Sequence, residues 1–258
     1  MTEQAAGQAA ERAGYQPYEI SGAERASRWL VCCDHAANTV PAFVGGGSLG
    51  LPEADMARHI AFDPGAAGVS RALAAHLDAP VILSNFSRLV IDPNRGEDDP
   101  TLLMKLYDGS IIPANRHADA AEREARLDAC HRPYHDALER LAARRDDTVL
   151  VSIHSYTPQL RGRPPRPWHV GILYAADKRF ALPLLHRLQE EPDLCVGENE
   201  PYGGHLPGDT IDRHAIDKGR PNVLIEIRND LIATESQQAH WAARLAPILE
   251  NVLAETGL

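Results

Sequence analysis

The sequence predicts an α/β domain, a three-layer α/β/α sandwich around a mostly parallel or mixed sheet. Three observations carry that expectation. Six short apolar runs rich in β-branched residues read as strands buried on both faces. Stretches with helical spacing alternate with them, and right-handed crossovers then place helices on both sides of the sheet. The length, 258 residues with 44% hydrophobic and 24% charged composition, suits one large domain better than two small ones.

Taken in order, residues 1–20 are rich in Ala, Gln, Glu and Gly without periodicity and read as a flexible N-terminal arm, with a single domain over 21–258. RWLVCC (28–33) is the first expected strand, followed by a helix over 66–77 and by PVILS (80–84) and RLVI (88–91) as strands. A helix is expected over 122–142, then strands TVLVSI (148–153) and HVGILY (169–174), a helix over 178–190 and the strand NVLIEI (222–227). The final helix, 235–255, carries Trp241, Leu245, Ile248 and Val252 at helical spacing. Three stretches are too polar or too rich in Gly and Pro to be regular, 44–52, 92–100 and 155–168, and functional loops are drawn from such segments. GGGSLG within the first lacks the G-K-[ST] ending of a phosphate loop.

Charge narrows the function. Lys and Arg number 26 against 36 Asp and Glu, a net charge of -10, which argues against a role dominated by nucleic-acid backbones. No apolar run approaches the ~20 residues needed to span a bilayer, and the start lacks a basic and an apolar region of the secretory kind. Cys32, Cys33, Cys130 and Cys195 form no C-x-x-C pair, so reduced thiols and a cytoplasmic location are expected. The expected partner is a small anionic molecule, with neither nucleic acid nor membrane, and the chain is expected to be a monomer or homodimer.

Ligands of open α/β sheets bind beyond the carboxyl ends of the strands. There the first strand runs into Asp34-His35-Ala36-Ala37-Asn38, the fourth ends in His154-Ser155, and the last carries Glu226. Two imidazoles and an oxygen ligand with one position left for water make a catalytic zinc site, and a carboxylate that does not bind the metal can serve as base. Either histidine could instead cap a strand end through hydrogen bonds. A competing pair, His131 and His135 in CHRPYHDAL, has Arg132 where H-E-x-x-H has Glu and has Pro133 between the histidines, so a place at the core edge or site wall fits it better. No G-x-S-x-G nucleophile elbow is present.

In order along the chain, DHAANTVP, FDPGA, SRLVIDPNRG, RPYHDAL, IHSYTP, NEPYGG and IEIRNDL resemble the N-formylglutamate amidohydrolase family, over about residues 28–253. The resemblance implies a fold similar to zinc carboxypeptidases and aspartoacylase, of phosphorylase/hydrolase-like type. It implies His35 and His154 as metal ligands, Glu226 as general base, Arg88 as the group that polarises the scissile carbonyl, and Asn94 and Arg95 as the grip on a substrate carboxylate. An H-x-x-E ligand pattern would put Glu at position 38, where this chain has Asn38. Asp63 is therefore the expected third ligand, with Asn38 either behind the ligands or in contact with substrate, and Ser155 a substrate contact. The activity implied is hydrolysis of an N-formyl or N-acyl amino acid, N-formyl-L-glutamate first, with a divalent metal, zinc first, in amino-acid catabolism such as histidine degradation. Two alternatives stand beside it: a zinc amidase or carboxypeptidase acting on peptide or cell-wall fragments, and a catalytically silent carboxylate-binding protein.

Overall fold

A computed structural model describes residues 14–204 and 206–258. The strands are β1 (Tyr18–Ser21), β2 (Trp29–Cys33), β3 (Val81–Ser84), β4 (Leu106–Tyr107), β5 (Ser110–Ile111), β6 (Val149–Tyr156), β7 (Val170–Leu173), β8 (Val196–Glu198) and β9 (Asn222–Arg228). The α-helices are α1 (Glu53–Met56), α2 (Ala66–His76), α3 (Pro113–Arg116), α4 (Ala120–Arg126), α5 (Arg132–Ala142), α6 (Ala181–Gln189), α7 (Thr210–His214) and α8 (Glu235–Thr256). Seven strands form one sheet in the order β1-β3-β2-β6-β9-β7-β8, and β4 and β5 form a separate hairpin. Neighbours among β3, β2, β6 and β9 run parallel, whereas β1 and the β7–β8 pair run the other way. The sheet is therefore mixed, and the α/β/α expectation holds.

Alternation along the strands explains the two cores. Trp29, Val31 and Cys33 of β2 face a cluster that includes Leu73 of α2, Leu184 of α6 and Leu245 of α8, while Leu30 and Cys32 face Leu127, Tyr134 and Leu138. Both faces are covered, which is why the strands read as unbroken apolar runs. The long helix α8 starts on a capping box, Thr234 with Gln237, and closes on Gly257 in the left-handed conformation.

Several elements differ from the sequence expectation. RLVI (88–91) is a buried turn: Leu89 and Val90 give their carbonyls to Asn115 and Arg126 side chains, at 2.7 and 2.8 Å, in place of a sheet ladder. Apolar β-branched composition reports burial, and buried side-chain donors satisfied this backbone where a neighbouring strand otherwise would. The helix expected over 122–142 is divided: α4 passes through a π-helical turn, Leu127–His131, into α5. Pro133, which has no amide hydrogen for a carbonyl four residues back, falls in the first turn of α5 just after that widened segment. Of the expected N-terminal arm, residues 1–13 lie outside the described residues, and Tyr18–Ser21 pairs with β3, so the sheet takes in the arm's last residues. β6 runs on through Ser155 and Tyr156, beyond the strand end expected at 153. No helix among the described residues is long and apolar enough to cross a membrane.

Gly65 links this frame to the site. It is the N-cap of α2, has φ +83°, and a Cβ there would lie 2.3 Å from the Ile232 carbonyl oxygen. Gly65→Ala is expected to destabilise the protein by about 2 kcal/mol through left-handed strain and the close approach. Thermal unfolding checks this; an unchanged melting temperature contradicts it.

Candidate active site

A cavity of about 480 Å³ opens at the carboxyl edge of the parallel strands. The strand order makes β2, β6 and β9 neighbours, so His35 just after β2, His154 in β6 and Glu226 in β9 converge, the last two as register partners. Asp63 comes from the loop before α2, where its amide donates to the His35 carbonyl at 2.9 Å.

Asp63 Oδ2 lies 2.8 Å from His154 Nδ1 and 3.3 Å from His35 Nδ1, and the amide of Ser155 donates to the same oxygen at 3.2 Å. The outer ring nitrogens face carboxylates: His35 Nε2 is 2.7 Å from Asp92 Oδ1, and His154 Nε2 is 3.2 Å from Asp34 Oδ2. Both imidazoles are thereby oriented with Nδ1 toward Asp63. One ligand atom from each of His35, Asp63 and His154 lies within 4.8 Å of the others, and all three residues are buried. Two imidazole nitrogens, one carboxylate oxygen and an outer carboxylate behind each ring form a donor set that fits a divalent cation.

The electrostatics agree. Burial opposes a charge on His154, yet the hydrogen bonds to Asp34 and Asp63 hold its pKa well above the usual histidine value. Burial likewise opposes the Asp63 carboxylate, and His35 and His154 outweigh it and keep the group ionised. The cluster thus binds a positive charge, which a proton supplies in the absence of a metal.

Glu226 stands beside this cluster. Its Oε2 is buried without a hydrogen-bond partner among the described residues. Burial raises its pKa to about 7, opposed by His154 and reinforced by Asp63. Arg88 donates to Asp92 Oδ2 at 2.8 Å, lies 3.6 Å from Asp63, and keeps a buried Nε with no hydrogen-bond partner among the described residues. Among the described residues it does not pair with Glu97, Asp98 or Asp99; Arg123 and Arg132 contact Glu97. Arg95 lines the cavity, donates to the Asn94 carbonyl at 2.7 Å and to Thr101 at 3.2 Å, and makes no ion pair among the described residues. Asn94 lines the cavity with its Oδ1 held by the Thr210 amide at 3.2 Å.

Two expected substrate contacts are placed differently. Asn38 donates to the Met56 carbonyl at 2.9 Å, is outside the cavity lining, and so secures the end of α1. Ser155 borders the cavity, but its hydroxyl donates to the Pro64 carbonyl at 2.8 Å and its amide to Asp63, so its polar groups support Asp63. Arg161, Arg163 and Arg166 of the 155–168 loop are likewise outside the cavity lining, and Arg166 stacks between Tyr156 and Tyr202. His131 and His135 lie apart from the ligand cluster, with their Nε2 atoms against backbone carbonyls. Sequence reasoning missed Asp34 and Asp92, although Asp34 directly precedes His35 and Asp92 follows Arg88 by four residues. It also missed His59, Tyr107, Tyr202 and Asp209 in the cavity wall.

Fold and site together define an α/β/α hydrolase with its chemistry at the carboxyl edge of a mixed sheet. The family model for N-formylglutamate amidohydrolase matches residues 27–233. The chain belongs to the N-formylglutamate amidohydrolase family and is a hydrolase of amide bonds. The crystal structure of a gene product from Agrobacterium tumefaciens is 36% identical, with 95% of this chain and 98% of that one covered and a TM-score of 0.89. N-formylglutamate amidohydrolase from Ralstonia eutropha JMP134 shares the fold at 21% identity, with 93% and 100% covered and a TM-score of 0.65. No curated protein matches the chain.

Two outcomes follow from the site. Asp92→Asn keeps the size of the group but removes the charge behind His35, and metal affinity is expected to fall about 10- to 100-fold; titration with a competing chelator measures it, and unchanged affinity contradicts this role. Burial raises the Asp209 carboxyl to about 6, opposed by the amides of Asp212 and Leu206. A raised acid contributes stability that is complete below its unfolded pKa and lost as pH rises through the folded one. Asp209→Asn keeps the cap on the Asp212 amide but cannot also accept from the Leu206 amide, a loss of about 1 kcal/mol, so it is expected to be slightly less stable than wild type near pH 4 and more stable by about 2 kcal/mol near pH 8. Denaturant unfolding at both pH values decides, and equal stability at the higher one contradicts it.

Proposed function

We propose that the protein is a metal-dependent amidohydrolase that removes an N-formyl or N-acyl group from an acidic amino acid, with N-formyl-L-glutamate and water giving L-glutamate and formate as the leading reaction. The observation that carries this reading is Glu226: a buried carboxylate with an unpartnered oxygen, facing the same cavity as the His35–Asp63–His154 cluster. Such an acid is costly to bury unless a reacting group engages it.

His35, Asp63 and His154 would hold the cation, and zinc is the leading choice because two imidazoles and one carboxylate leave a position open. When bound there, the cation would supply Lewis acidity to the scissile carbonyl and to a water. Glu226 takes the proton from that water at Oε2 and delivers it to the leaving nitrogen; a pKa near the working pH suits both transfers. Arg88, with Nε free, donates to the oxyanion, while Asp92 fixes its guanidinium. Arg95, a guanidinium without an acidic partner, is the group available to a substrate carboxylate, and Asn94 stands beside it. The cavity volume suits an amino-acid derivative. We place the enzyme in the cytoplasm, with a role in amino-acid catabolism that would include histidine degradation, and four free cysteines accord with that compartment.

One observation favours a larger substrate as a second reading. An open groove of about 780 Å³, bordered by Arg58, Gln159 and Arg161, shares His59 with the cavity, and a peptide would have room there. Comparing turnover of N-formyl-L-glutamate with that of glutamyl peptides separates the two.

Glu226→Gln keeps the shape of the side chain and removes the base. The variant is expected to retain metal and bind substrate while kcat falls roughly 10²- to 10⁴-fold. Loss of metal in this variant makes Glu226 a ligand, and near-normal turnover assigns the base elsewhere.

A further inference from the structure

His131 and His135 are unused by the reaction outlined above, yet both are almost inaccessible, at 0% and 3% exposure. Each directs Nε2 at a backbone carbonyl of the turn that carries Asn94 and Arg95. His131 Nε2 lies 3.0 Å from the Arg95 carbonyl oxygen, and His135 Nε2 lies 2.9 Å from that of Pro93. A carbonyl only accepts, so both rings carry their proton on Nε2. Those nitrogens are committed to donation, and His135 Nδ1 is engaged by His214 Nε2, so the pair is tied to this turn and to the helix beside it.

The turn is held from a second side. Thr210, at the start of α7, donates its amide to Asn94 Oδ1. From the end of the same helix, His214 Nε2 meets His135 Nδ1 at 2.9 Å with the rings stacked, and His214 Nδ1 contacts Glu139 at 2.9 Å. Arg220 also pairs with Glu139, at 3.1 Å. The backbone on either side of Asn94 is thus fixed by α5 and the π turn, and its side chain by α7. Arg95 has no acidic partner among the described residues, and its guanidinium is held by the Thr101 hydroxyl and by the Asn94 carbonyl of this same turn, so its aim into the cavity depends on how that backbone is held.

We propose that His131 and His135 are positioning residues that clamp the Pro93–Arg95 turn and so set the geometry with which Asn94 and Arg95 receive a substrate carboxylate. This rests on the reading of Asn94 and Arg95 as the carboxylate grip. The clamp acts on binding of an anion remote from the reacting carbon, so it belongs to KM and leaves proton transfer and metal binding alone.

The experiment compares His131→Ala and His135→Ala with His131→Gln and His135→Gln in the full, metal-loaded protein, since a Gln amide restores a donor. His135→Phe keeps the ring volume without the donor and replaces the Ala variant if that does not accumulate. KM for N-formyl-L-glutamate is expected to rise roughly tenfold in each variant lacking the donor, with metal content retained and kcat changed far less, and to recover in the Gln variants. Unchanged KM in folded donor-free variants overturns the clamp. So does loss of kcat and metal with KM unmoved, the pattern of a purely structural defect. Metal-loaded wild type without turnover of this substrate overturns the substrate reading instead, and hydrogen exchange at the 94–97 amides then decides the clamp. Faster exchange at these amides in His135→Ala supports the clamp, and unaltered exchange overturns it.

Discussion

Asp34, Asp63, Asp92 and Glu226 are 0%, 3%, 1% and 6% exposed and lie together at one edge of the sheet. The buried fixed cation in contact with them, among the described residues, is Arg88. Four carboxylates against one guanidinium is a charge arrangement that an apolar interior does not tolerate without further positive charge. The two histidines answer it in part, each lying between carboxylates, and a divalent ion at their Nδ1 atoms answers it more fully. Burial raises the pKa of Glu226, whose Oε2 takes no hydrogen bond among the described residues, while the histidines and Arg88 outweigh burial at Asp63 and Asp92 and lower theirs.

The sheet exists in a form that permits this gathering. Parallel β2, β6 and β9 end at the same edge, with an apolar layer packed on each face of the sheet. Polar residues are then concentrated at the strand ends and in loops whose backbone is satisfied from inside the protein. The turn over residues 88–91 is one such case, held by Asn115 and Arg126, and the turn that follows it carries Asn94 and Arg95. Rigid support of a site by buried donors keeps its geometry at the precision that hydrolysis needs.

Much of this was legible in the sequence because burial on both faces leaves a continuous apolar signature, and because a lone Glu in NVLIEI or a His two residues after WLVCC interrupts that signature where chemistry belongs. His35, Asp63, His154, Arg88, Arg95 and Glu226 do converge. What the sequence obscured is physical in origin. Composition cannot separate a buried strand from a buried turn, as in RLVI, since both are apolar and differ in where their carbonyls find donors. Asn38 and Ser155 were legible as polar residues beside the site, but which partner each one takes depends on Met56 and Pro64, brought near only by the folded loops. The carboxylates behind the histidines were hidden for a similar reason, since Asp92 reaches His35 across 57 positions of sequence. β1 alternates half-buried and exposed residues, but four residues are too few for that alternation to stand out in sequence.

The proposed reaction depends on a cation held by His35, Asp63 and His154. Anomalous diffraction at the absorption edge of zinc, on crystals of catalytically active protein, tests it most directly. A single strong peak bounded by Nδ1 of His35, Nδ1 of His154 and the Asp63 carboxylate is the predicted result. A peak at His131 and His135, or active protein with no peak at any metal edge, contradicts it.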